Sequence, residues 1–327
     1  MRNRETGELI FHTILPYMRC KNCSHLVNTG DSCPHIYRLL PKHKSLQKMQ
    51  IAITLMGGDK IMINQELFGM VQSSTSYMFR EFVQEFMRLP RYTFKNHVRM
   101  CHTYIDPSGG GAKSDFVLAT HSYEEGKYAL LAISRLVSRT FTDKSGQALT
   151  DMLQEHYYRL WEIYPQSYFM VYTETSSDNF APGNLANILR VFFQVHGKGD
   201  RIVFAQGIAA HPEVPGVSVT HADKEAWTNS LQRILRDKRL HFADRFLMNE
   251  DAQDFQEEFM RQLSDYTRWV KLPENNPFGK PVIEYGGKQS GKDDMVTAVA
   301  GSIHHHKIKM QSKEYLEWCV ERSIYPM

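Results

Sequence analysis

From Cys101 onward, short runs rich in β-branched and aromatic residues alternate with stretches whose apolar positions recur every three or four residues. That alternation restricts the chain to a mixed α/β architecture. HTYID (102-106), DFVLATHSY (115-123) and YALLAISRLV (128-137) read as three consecutive strands, joined by SGGGAKS and the turn EEGK into an antiparallel meander. Leu153, Tyr157, Leu160, Trp161 and Tyr164 mark a helix, and SYFMVYTE (167-174) a buried strand. A helix behind Pro182 carries Leu185, Ile188, Leu189, Phe192 and Phe193, and the strand RIVFAQG (201-207) follows. Trp227, Leu231, Ile234 and Leu235 stripe another helix, with Asp223 as its cap. After LHF (240-242), Phe255, Phe259 and Leu263 indicate a helix and PVIEY (281-285) a strand. Val296, Val299, Ala300 and Ile303 define a last helix, opened by Asp293 and Asp294. Apolar stripes at these spacings are expected to pack as core.

The element order βββαβαβα is that of a ribonuclease-H-like fold, a mixed sheet flanked by helices, although periodicity alone leaves other α/β folds open. Residues 1-100 differ in character: a Cys/His cluster, the basic LLPKHKSLQK, then a Met- and Phe-rich stretch. They are expected to form a linker region ahead of a domain over 101-327. The 327 residues allow one large domain or two ordinary ones. No apolar run approaches the roughly 18 residues of a membrane span, so no membrane partner is expected. The N-terminal apolar stretch is broken by His12, Thr13 and Pro16 and does not read as a signal peptide. Five cysteines, three of them within Cys20 to Cys33, make no disulfide framework and suit a reducing compartment. A net charge of +3 neither requires nor excludes a nucleic-acid partner, because one local basic face suffices.

The chemistry concentrates in acids that directly follow or open apolar elements. Asp106 ends the first strand, Glu174 ends SYFMVYTE, and Asp293-Asp294 begin the last helix. Carboxylates in such places must face water, pair with a cation or bind metal. Phosphodiester hydrolysis by two Mg2+ or Mn2+ ions calls for at least three carboxylates, one of them bridging. Each acid taken singly is more often a turn or a cap. Asp115, at the start of the second strand, has three readings: a metal ligand, a residue supporting the ligands from behind, or a solvated strand start.

Taken together, the motifs resemble those of terminase large subunits from herpesviruses and tailed phages. YIDPSGGGAKSDF is similar to that family's first nuclease motif, VYTETSSDN to the second with Glu174 at the catalytic Glu, and GKDDMVTAVAG to the third. KEAWTNSLQRILRDKRLHFADRF resembles the segment preceding the last motif, and SCPHIYRLLP and NQELFGM resemble the herpesvirus-type link from motor to nuclease. The resemblance implies a DNA endonuclease that cuts concatemeric viral DNA, with Asp106, Glu174 and Asp294 as ligands and Asp293 beside them. It also implies double-stranded viral DNA, other terminase subunits and a capsid portal as partners, and the host nucleus as location. The family's ATPase motor is not expected within this chain. A resolvase- or integrase-like nuclease of the same fold, or a non-catalytic zinc-containing packaging protein, are the other readings.

Cys20, Cys23, Cys33 and His35 form C-x2-C-x9-C-x-H, half of which is a natural tetrahedral zinc pair. A zinc here would be structural, stiffening the linker, with His25 able to replace His35; the other reading is a set of reduced cysteines in a small core. GGKQSGKD (286-293) nearly matches a phosphate-binding loop, but Asp293 stands where a magnesium-binding hydroxyl belongs and would repel phosphate. Lys288 and Lys292 are instead read as contacts to DNA phosphates, with a solvated loop as the alternative. His304-His305-His306 is read as a favourable charge at a helix C-terminus, since adjacent histidines point apart and make a poor three-ligand site.

Overall fold

In the computed structural model, which describes residues 75–107, 114–137, 146–175, 182–208, 211–271, 282–287 and 292–324, alternate residues of strand β2 (Met100–Asp106) enter two different cores. Met100 and Tyr104 join one, Cys101 and Ile105 the other. A side-chain period of two on a sheet covered on both faces requires this. β3 (Phe116–Glu124) and β4 (Lys127–Leu136) complete the expected antiparallel meander. β5 (Tyr168–Thr173) lies parallel to β2, β6 (Ile202–Phe204) parallel to β5, and β9 (Leu240–Met248) parallel to β4. The resulting six-stranded order is β6-β5-β2-β3-β4-β9.

Helices α2 (Gln147–Ile163) and α3 (Pro182–Val195) supply the core on one face, through Leu153, Tyr157, Trp161, Leu189 and Phe193. On the other face lie α4 (His221–Arg236), α5 (Ala252–Asp265) and α6 (Asp294–Lys309), joined by α1 (Arg80–Arg88) and α7 (Lys313–Glu321). The ribonuclease-H-like mixed sheet flanked by helices is therefore the observed architecture. The chain divides between Ser76 and Tyr77 into two units, within the short strand β1 (Thr75–Tyr77), and the sheet belongs to the second. Among the described residues no helix is long and apolar enough to cross a membrane.

Several elements differ from the pattern in the sequence. RIVFAQG splits after Phe204, because Ala205 donates to Val171 O and accepts from Gly216, turning the chain off the sheet. β7 (Gln206–Ile208) then pairs with β8 (His211–Pro215). LHF extends to Met248, since β4 continues beside it past a bulge, although Asp244 and Arg245 hide the period. β10 (Tyr266–Lys271) and β11 (Val282–Gly287) form an antiparallel ribbon of which the sequence pattern marks only the second strand. The cap of α4 is Thr220, not Asp223: Thr220 Oγ1 accepts from Asp223 N–H, and the Asp223 carboxylate accepts from the Thr220 N–H.

The histidine tract is a further correction. α6 runs on to Lys309, so His305 and His306 lie inside the helix and face the sheet, buried at 8% and 1% exposure. Burial holds them neutral, pushing His305 down to about 4 and His306 to about 3. A neutral imidazole gives no charge interaction with a helix terminus.

Candidate active site

Register assembles the site. Ile105 pairs with Thr173 across the parallel strands, so Asp106 and Glu174, one residue further on, project from neighbouring strands on the same face. That face is the one covered by α6, whose first residue is Asp294 and whose N-cap is Asp293. Three elements distant in sequence thus bring Asp106, Glu174, Asp293 and Asp294 to one end of the sheet.

Each acid is held differently. Glu174, 6% exposed, is fixed by its N–H to Ile105 O at 3.2 Å and accepts from the Tyr104 hydroxyl at 3.0 Å. Asp294, also 6% exposed, accepts from the Ser114 hydroxyl and from the Asp115 N–H, both at 3.0 Å. Asp293 receives the Thr297 hydroxyl at 3.4 Å and the Gly287 N–H. A Cβ on Gly286 would stand 2.8 Å from Asp293 Oδ2, so the ribbon closes on this carboxylate only because a glycine is there.

The electrostatics reflect crowding in a dry place. Burial pushes the Asp106 carboxyl well above its ordinary range, and Glu174, Asp294 and Asp293 push it further. Asp294 is raised to about 7 by burial and by Asp293, against the hydrogen bonds from Asp115 and Ser114. Burial also raises Asp293, with Lys224 opposing it. Lys224, in the first turn of α4, lowers both Asp106 and Asp293 and so offsets part of the repulsion. Nothing in the sequence singles out Lys224, because one Lys on the polar side of an amphipathic helix is ordinary.

Asp115 and Lys292 form an ion pair. Asp115 is fully buried rather than solvated, and both its carboxylate oxygens lie 2.8 Å from Lys292 Nζ, with Arg135 Nη1 at 3.6 Å. Lys292, read as a DNA contact, is bound inside the protein to Asp115, and Asp115 in turn holds two of the chain's own cations. Cys20, Cys23, Cys33, His35 and Lys288 lie outside the described residues.

Among the described residues, no group of three or more His, Cys, Asp or Glu side chains is arranged as it stands to hold a metal ion. The donor set nevertheless fits a hard divalent cation. It is made of carboxylates alone, and their mutual repulsion, expressed in the raised Asp106 and Asp294, is what such a cation would relieve.

No protein-family model matches the chain, and no curated protein does. Solved structures do. The human cytomegalovirus terminase nuclease domain soaked with Mn is similar over 72% of this chain and 95% of its own, with a TM-score of 0.50 and 12% identity. Another structure of that domain gives a TM-score of 0.51 over the same shares. The large terminase of a thermophilic bacteriophage matches over 81% of this chain and 53% of its own, with a TM-score of 0.43 and 10% identity. The chain has the fold of a terminase nuclease domain.

Proposed function

We propose that this chain is a metal-dependent DNA endonuclease of the terminase type, cutting concatemeric viral DNA during genome packaging. One observation carries the reading: carboxylates from the ends of two neighbouring strands and from the start of α6 meet on one buried face, where they repel one another. The Mn-soaked cytomegalovirus domain of the same fold supports divalent metal use.

Asp106, Glu174 and Asp294 would hold two Mg2+ or Mn2+ ions, with Asp293 beside them. When bound, these would activate water and steady the leaving oxygen of a phosphodiester. Tyr104 orients Glu174, and Ser114 with the Asp115 N–H orients Asp294. Lys224 places a positive charge beside Asp106 and Asp293. Double-stranded viral DNA, other terminase subunits and a portal, and work in the host nucleus within the herpesvirus branch, belong to the same proposal. So does a structural zinc on Cys20, Cys23, Cys33 and His35, for which metal analysis of freshly purified protein should find about one zinc per chain, lost in Cys20→Ser.

The direct test is cleavage of supercoiled plasmid across a manganese titration. Asp106→Asn and Glu174→Gln should each lose at least about a hundredfold in rate, the scale of several kcal/mol of charge stabilisation, while circular dichroism stays native. Near wild-type cleavage by either variant would sink the assignment.

A further inference from the structure

Beside the carboxylates lies a closed ring of buried and part-buried polar contacts, and beyond the Asp115 N–H that orients Asp294 the nuclease reading assigns it no task. It starts at Asp115, whose N–H holds Asp294 Oδ2 and whose side chain binds Lys292 Nζ. Arg135, on β4, connects onward: its Nη1 lies 3.6 Å from Asp115 Oδ2 and 3.5 Å from Glu258 Oε1, and its Nη2 binds Glu250 Oε2. Glu258, on α5, accepts from Gln262 Nε2 at 2.6 Å. Gln262 Oε1 then accepts from the Met295 N–H at 2.9 Å, one of the donors that the first turn of α6 leaves without a helical partner. The ring therefore returns to the residue next to Asp294.

Three features make this more than a set of surface contacts. The side chains grade from dry to partly exposed: Asp115 is 0% exposed, Arg135 11% and Glu258 16%, with Lys292 and Glu250 at 21% and Arg261 at 40% on the outer side. Arg135 is also pinned through its backbone, donating to Asn249 Oδ1 at 2.8 Å while its carbonyl accepts from Asn249 Nδ2 at 2.9 Å. The charges close among themselves as well, with Arg135, Lys292 and Arg261 set against Asp115, Glu250 and Glu258. Asp294 stands apart from that balance. Its oxygens take hydrogen bonds from neutral donors, Ser114 and the Asp115 N–H, so its charge is not neutralised by the ring.

A buried ionic ring is costly to desolvate and contributes less stability than an apolar replacement often would, so its use lies in fixing one geometry. We propose that Arg135 and Asp115 are positioning residues: by tying the start of β3 to α5, they hold Asp294 at the angle from which it ligates a divalent cation. Asp115 acts through its backbone N–H and its grip on Arg135 and Lys292, and is not itself a ligand. This rests on the nuclease reading of the same site.

The test uses the full chain with Arg135→Gln, Arg135→Lys and Glu258→Gln, and the probe is Mn2+ alone. Calorimetric Mn2+ binding is measured without DNA, and plasmid cleavage is followed across a manganese titration. Arg135→Gln should weaken Mn2+ binding about tenfold, the lower end of what removing a group that orients a metal ligand costs. Excess manganese should restore most of its plateau rate, and Arg135→Lys should recover part of the affinity. Should Arg135→Gln fail to fold, the isosteric Glu258→Gln breaks the same ring and should weaken Mn2+ binding in the same direction. A folded Arg135→Gln or Glu258→Gln variant with Mn2+ affinity within about twofold of wild type, well short of that expected loss, would overturn the positioning role and leave the nuclease reading intact. A wild-type chain that neither binds Mn2+ nor cleaves would instead overturn the nuclease reading, and this inference with it.

Discussion

Two adjacent aspartates at the start of one helix are held by different partners, and this separates their roles. Asp294 is the first residue of α6 and is drawn to the start of β3, while Asp293 is the cap and is drawn to the ribbon through Gly287. Asp294→Asn should remove nearly all cleavage and Asp293→Asn only part, with weakened metal affinity. The reverse ranking across one manganese titration would reassign the ligand. The acids are legible in the sequence because a carboxylate placed directly after HTYI, or one residue past FMVY, is expensive to bury unpaired. Arg135, Gln262 and Lys224 are not. Each is an ordinary polar residue, and its meaning arises only where packing brings together segments as distant as Asp115 and Lys292, 177 residues apart.

At the scale of elements, α6 lies unusually close to the sheet. A Cβ on Gly301 would meet the Tyr104 ring at 2.9 Å, and Tyr104 is the residue that holds Glu174. Gly301→Val should cost roughly 1–3 kcal/mol of stability by overpacking, more than better helix propensity returns. It should also slow cleavage by displacing Tyr104. Thermal denaturation with a parallel rate measurement tests this, and a variant as stable and active as wild type would show that the helix has room to shift. The run of small residues in DMVTAVAG makes the close approach readable in advance, whereas β10 escapes notice because YTRWVK follows α5 without a turn signal. The buried histidines mislead for a related reason: three in a row look solvent-facing until the helix is seen to continue past them.

For the whole molecule, the same face of β2 and β3 that ends in acids begins in imidazoles. His102 and His121 pair across the strands, His121 Nε2 lies 3.1 Å from His306 Nδ1, and the His102 and His306 rings stack at 3.9 Å. Burial keeps all three neutral when folded, His306 down to about 3. In the unfolded chain each takes up a proton near pH ~6.5. Below that value these three bind more protons in the unfolded state, so their contribution to stability is fully present above about 6.5 and is lost as pH drops towards 3, while Asp294, raised to about 7, takes its proton in the folded state and opposes them over the same window. Urea unfolding of wild type and His121→Gln at a series of pH values isolates the histidine contribution: the variant should lose less stability than wild type between about pH 7 and about pH 5, and a stability difference that stays constant over that range would count against it. The close contact between β3 and α6 also has a consequence in time. Ser114 and Asp294 touch across 180 residues of chain, so a ribosome has made the entire sheet before the helix that completes the acid cluster emerges. Until then Asp106 and Glu174 stand without Asp293 and Asp294, so the acid cluster is completed only by the last long helix of the described chain.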